Sequence, residues 1–180
     1  SDIDPSEVSA LAGLASLLEE QARWEELAGI LPQVIDGTYE EEERVKLTSQ
    51  LAHLFEEKLA DIDNAVEQYN AALEYDNYHA DSLERLAQIY AVREDWALLY
   101  DVHERQKENA TDDLTRADLG AAMAQLAADH LERPDDAIDL WNEGLELRGE
   151  DMGALSALEL LYEQQEAWRE LVDVCARQVN

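Results

Sequence analysis

The chain has a single cysteine, Cys175, so no disulfide forms within it. That fits a reducing compartment and sets the expectation of a cytoplasmic protein. Glycine and proline are scarce, seven and three in 180 residues, which leaves few breakers and calls for long elements with short turns. Lysine occurs only at Lys46, Lys58 and Lys107; all 13 basic side chains face 43 acidic ones, for a net charge of -30. A surface this negative repels phosphate, which argues against nucleic acid or an anionic membrane face as a partner. No apolar run approaches the ~18 residues of a membrane span, and runs rich in Val, Ile and Thr, as strands require, are missing. The opening Ser1-Asp2-Ile3-Asp4-Pro5 has neither a signal peptide's regions nor a starting Met, so the sequence is expected to be a piece of a longer array.

What remains is dominated by Ala, Leu, Glu and Gln, all good helix formers, with a hydrophobic fraction of 46% that suffices for a folded core. The residues repeat. Trp24, Trp96 and Trp168 are 72 residues apart, and Leu11, Leu83 and Leu155, Leu14, Leu86 and Leu158, and Leu27, Leu99 and Leu171 keep the same register. Between them Ala52 matches Ala124, Ala65 matches Ala137, Tyr69 matches Trp141 and Leu73 matches Leu145, again at 72. Such a period marks a repeat architecture.

Each long repeat divides into two units of two helices. Leu83, Leu86, Ala87 and Tyr90 share one helical face; Trp96, Leu99 and Val102 share another beyond the break Arg93-Glu94-Asp95. That break carries no glycine and reads as a tight polar turn. The spacing predicts ten helices in five pairs: 5–20 and 24–35, 40–59 and 63–75, 78–92 and 95–109, 112–131 and 135–147, 151–164 and 167–179. They form one domain, 1–180, with units at 4–36, 37–75, 76–109, 110–147 and 148–180. No pair buries its apolar face alone, so stacked neighbours supply the core.

Leu83, Leu86, Ala87, Tyr90 and Trp96, echoed by Leu155, Leu158, Tyr162 and Trp168 and by Ala52, Phe55, Ala65, Tyr69 and Ala72, resemble the tetratricopeptide repeat. The alternation of two unit types looks like the degenerate arrays of large bacterial proteins. Leu99 and Glu159 depart from the family's small residues, and the second type of unit has one extra residue in its turn. The resemblance implies an all-α solenoid, a right-handed superhelix of about five antiparallel helix pairs. It also implies a protein-interaction scaffold or adaptor whose first helices line a concave face. By position those helices present Ser9, Ala12, Ser16, Lys46, Ser49, His53, Asp81, Glu84, Gln88, Asp118, Ala121, Gln125, Ser156 and Leu160. Asp81, Glu84 and Asp118 favour a basic or amphipathic segment. A carboxylate-clamping Lys, Asn and Arg set is missing, which argues against a peptide C-terminus as ligand.

For the acidity itself two readings stand, partner choice and solubility in a high-salt source. Two alternatives to the adaptor also stand. One is a structural spacer that self-associates through its ends, since the last helix carries Leu171, Val172, Val174 and Val179. The other is a repeat domain that regulates an enzyme. The chain itself does not read as an enzyme. His53, His79, His103 and His130 form no HExxH and no zinc spacing with Cys175, and neither metal nor cofactor is expected. Ser9, Ser16, Ser49, Ser82 and Ser156 read as helical serines without a nearby histidine, and Cys175 and the four tryptophans read as packing residues. Asp61-Ile62-Asp63-Asn64 lacks the glycine of a calcium loop and reads as a helix cap. The run Glu40 to Glu43 is either a solvated helix start, suited to the helix dipole, or an electrostatic docking patch.

Overall fold

A computed structural model describes residues 5–179; the expectations for Ser1 to Asp4 lie outside the described residues. Among the described residues it contains ten α-helices and no strand. They are α1 (Pro5–Glu20), α2 (Trp24–Gly37), α3 (Glu41–His53), α4 (Ile62–Tyr75), α5 (Ala80–Arg93), α6 (Trp96–Asn109), α7 (Asp113–Asp129), α8 (Pro134–Arg148), α9 (Met152–Gln164) and α10 (Trp168–Gln178). The all-helical class is as expected. The chain divides into two compact units, 1–89 and 90–180.

In the first unit α1, α2, α3 and the turn that follows α3 share a cluster of Ala15, Leu18, Leu27, Leu31, Ile35, Leu51 and Leu54. Leu27, Leu31 and Ile35 recur at the spacing of one helical face, so a single stripe of α2 meets both neighbours. Between α3 and α4 the contact is closer, because Ala52, Ala65 and Ala72 are fully buried and carry no bulk beyond Cβ. Tyr69, also fully buried, fills the remaining space. In the second unit the equivalents are Ala124 and Ala137, again fully buried, with Trp141 in place of the tyrosine. Leu155 and Leu158 bury completely on α9.

The turns within pairs come in two kinds. At the ends of α1, α5 and α9 the backbone N–H of Arg23, Asp95 and Ala167 donates to the carbonyl of Leu18, Tyr90 and Tyr162, each at 2.9 Å. This bond, five residues back, is the Schellman closure, and it needs a left-handed residue just before the donor. Ala22, Glu94 and Glu166 take that conformation with φ of 54°, 60° and 56°. At the other two turns the closing bond reaches six residues back, Asp61 to Phe55 and Arg133 to Ala127, both 2.8 Å, with Ala60 and Glu132 at φ of 51° and 54°. Here lies the extra residue read from the sequence. After α3 it is accommodated as a π-helical turn over Leu54–Lys58.

Caps follow the side chains. Asp61 accepts from Asn64 N at 3.2 Å and Asp112 from Thr115 N at 2.8 Å, so Asp61 to Asn64 is a helix start. Arg133 stands where Asp61 stands in the other copy and makes no side-chain cap; there Pro134, which has no N–H to satisfy, opens α8.

Candidate partner-binding site

The first unit contains a cleft where the N-terminal half of α3 faces the α4–α5 turn. Glu40, Glu41, Glu42, Glu43, Asp76 and Asp81 line it together with Lys46, Ser49, His53, Tyr75 and His79, around about 1060 Å³. Six carboxylates therefore face one lysine. The acidic run sits at the start of α3, where the positive end of the helix dipole offsets part of its repulsion.

Ser49, His53 and Asp81 in the cleft belong to a bonded network that extends beyond it. Ser49 Oγ donates to Asp81 Oδ2 at 2.8 Å, and His53 Nε2 lies 2.8 Å from the same oxygen. The Tyr69 hydroxyl, 3.0 Å from His53 Nδ1, donates to Glu56 Oε2 at 2.7 Å. Arg85 grips Glu56 with two nitrogens, Nε to Oε2 at 3.1 Å and Nη2 to Oε1 at 2.5 Å. This fork is geometrically selective and strong. It ties the π-helical turn after α3 to α5, as Ser49 and His53 tie α3 itself to Asp81 on α5, while Tyr69 brings α4 into the same network.

The charges respond accordingly. Burial pushes the Asp81 carboxyl up, but the hydrogen bonds from Ser49 and His53, with the charges of His53 and His79, outweigh it, and the group titrates below the usual carboxylate range. Burial and the adjoining Glu56 push the Tyr69 phenol well above its ordinary value. The Arg85 guanidinium is held higher still than usual by its bonds to Glu56.

Histidine lies closer to serine than the sequence reading held. Ser49 and His53 meet at Asp81, and His79 Nδ1 is 2.9 Å from Ser82 Oγ. Neither arrangement activates a nucleophile. Ser49 donates to the carboxylate rather than to the imidazole, and Ser82 is completely buried. Among the described residues no group of three His, Cys, Asp or Glu side chains is placed to hold a metal, and no helix is long and apolar enough to cross a membrane.

Of the residues singled out by sequence, Ser49, His53 and Asp81 come together here, with Lys46 at the rim. Glu84 and Gln88 are exposed on α5; Gln88 donates to Glu84 at 3.4 Å and accepts from Arg85 at 3.2 Å. Ala12 and Ser16 line an adjoining hollow of about 420 Å³ with Leu27, Leu31 and Leu47, which shares Glu43 and His53 with the cleft, and Ser9 is exposed. In the second unit Asp118 pairs with Arg148 and Ala121 is half-buried. Gln125 edges a small hollow beside His103 and His130, and Ser156 and Leu160 are exposed on α9. Asp76, Tyr75, Tyr69, Glu56 and Arg85 were missed as site residues. Glu56 and Arg85 lie 29 positions apart with no local pattern joining them, whereas Tyr69 was legible only as a packing position.

The tryptophans are not all packed. Trp141 is buried, Trp24 and Trp96 are half-buried, and Trp168 is 59% exposed, which corrects the reading of all four as packing residues.

Helix pairs repeated in register define a helical repeat protein. Residues 10–45 and 154–180 match the sequence model of the tetratricopeptide repeat, and those segments lie two long periods apart. Within those two segments the sequence follows the tetratricopeptide repeat. No curated protein matches it by sequence. Among solved structures it resembles "Crystal structure of MamA protein" at 14% identity, with 94% of this chain and 88% of that one covered and a TM-score of 0.51. It also resembles MamA AMB-1 at 18% identity, covering 97% and 91%, with a TM-score of 0.54. At these identities the likeness establishes the fold, that of tetratricopeptide-type helical repeats.

Proposed function

We propose that this protein is an interaction scaffold whose acidic cleft, between α3 and the α4–α5 turn, receives a basic segment of a partner protein. The single observation that carries this reading is the convergence of Glu40 to Glu43, Asp76 and Asp81 on one concavity whose lining includes one lysine, Lys46, and no arginine. A lysine- or arginine-rich segment relieves the repulsion among these groups and gains Coulomb attraction, mostly as a faster approach and a strong dependence on salt. The bonded network from Ser49 to Arg85 holds the cleft residues Ser49, His53 and Asp81 in place, so little ordering cost falls on binding. The lone Cys175 fits a reducing compartment, and a cytoplasmic setting belongs to the same reading.

The test uses a fluorescent amphipathic peptide with four lysines as probe, read by anisotropy. Replacing Glu41, Glu42 and Asp76 by Gln, Gln and Asn leaves the network intact. At roughly 0.2–1 kcal/mol for each exposed charge, the triple variant binds about 3- to 150-fold more weakly, and its salt dependence flattens. Equal affinity for variant and parent at low salt overturns the proposal.

A further inference from the structure

The 72-residue period sets up an internal comparison at the second helix of three pairs. On α2 the face formed by Trp24, Ala28, Leu31 and Ile35 lies half-buried or buried beneath α3. On α6 the equivalent Trp96, Tyr100, His103 and Lys107 are likewise half-buried or buried. On α10 the same register reads Trp168, Val172, Cys175 and Val179, and Trp168, Val172 and Val179 are 59%, 69% and 86% exposed. Spacings of four, three and four put them on one stripe.

In each covered copy the indole face is closed by a side chain 34 positions further on. Lys58 Nζ stands 5.8 Å from the Trp24 ring centroid, and His130 stacks on Trp96 at 4.1 Å with the rings 17° apart. Next to the latter, Arg133 lies over Tyr100 at 4.8 Å. The cover is therefore a helix of the α3/α7 register whose C-terminal end delivers a cationic or imidazole side chain onto the tryptophan.

We infer that the α10 face is a docking surface for one further helix pair of the α3–α4 or α7–α8 register, ending its first helix with Lys, Arg or His over the Trp168 indole. Continuity with two established interfaces of the same chain carries this choice of occupant. A second copy fits worse, because its own α3 and α7 are already seated on α2 and α6, and two chains of charge -30 repel.

The test appends a second copy of residues 109–147 after Asn180, which holds the register of Glu108 and so continues the period without a gap. Both proteins are labelled with 5-fluorotryptophan, and the Trp168 resonance is assigned by Trp168→Phe. The solvent-isotope shift of that resonance, large in the 180-residue chain, is lost in the extended one. It returns in part when the appended copy of the segment carries His130→Ala. A Trp168 resonance that keeps its full isotope shift overturns the inference, whether the appended segment is helical or not, since the same sequence folds at 109–147. So does a 180-residue chain whose Trp168 is already protected in a concentration-dependent dimer.

Discussion

Replacing Glu94 by glycine should make the protein more stable, although it removes a charged side chain and adds the residue that loses most freedom on folding. Glu94 is exposed, closes the α5–α6 turn and sits at φ of 60°. For a side chain with Cβ the left-handed conformation costs roughly 1–2 kcal/mol. Glycine is free of that cost and instead gives up about 0.5–1 kcal/mol in backbone entropy. The difference leaves Glu94→Gly stabilising by about 0.5–1 kcal/mol, in line with the preference for glycine after a Schellman closure. Glu94→Ala is the control. Ala22 and Ala60 take the same conformation, so alanine should stay within about 0.5 kcal/mol of the parent, as surface substitutions do. Urea unfolding by far-ultraviolet circular dichroism, with slopes compared to exclude a change of mechanism, reads the result. If the glycine variant unfolds at the same or lower urea than both parent and alanine variant, the turn is not under the conformational cost assigned to it.

Three further outcomes follow from the packing. Trp141→Ala empties a buried site on α8 and should destabilise the second unit by about 3–5 kcal/mol in the same assay. Arg85→Met leaves Glu56, only 16% exposed, without its bidentate partner and should cost about 1–3 kcal/mol, while Glu84→Gln, nearby but exposed, changes little. Stability should also fall in acid. Hydrogen bonds from Asn64 hold Asp61, and those from Thr115 hold Asp112, below the usual carboxylate range, as the network holds Asp81. Folded values below the unfolded one, near 3.9, mean that this stabilisation is complete above about pH 4 and disappears as pH falls through the depressed values. Asp61→Asn with Asp112→Asn should flatten that acid limb in urea titrations from pH 5 to pH 2; an unchanged limb contradicts the cap assignment.

Local order was legible in the sequence because helix faces and a fixed period are one-dimensional. α1 ends at Glu20 and α9 at Gln164, as the apolar spacing predicts, and the other boundaries stay within about two residues, except that α3 stops at His53 rather than at 59, where the π-helical turn Leu54–Lys58 replaces its last turn. The turns were legible only as short and polar. Their left-handed residues are Ala and Glu, which carry no mark of that conformation, whereas glycine does. The acidic cleft was half legible. Glu40 to Glu43 stands out as a run, and Asp81 was reached by position in the repeat, but Asp76 joins them only once α4 has returned its end beside α3. The fork of Arg85 on Glu56 likewise exists only in three dimensions. Trp168 shows the converse limit. Its register equals that of Trp24 and Trp96, yet burial depends on what lies above a helix, and the period alone does not report that.

The most direct test of the cleft maps the lysine-rich amphipathic peptide onto the whole chain by amide chemical shifts in a ¹⁵N-labelled sample at low salt. The account predicts that shifts concentrate at Glu40 to Glu43, Lys46, His53, Asp76 and Asp81 and fade as salt is raised. Shifts confined to α9 and α10, or scattered evenly over all acidic positions, would contradict it.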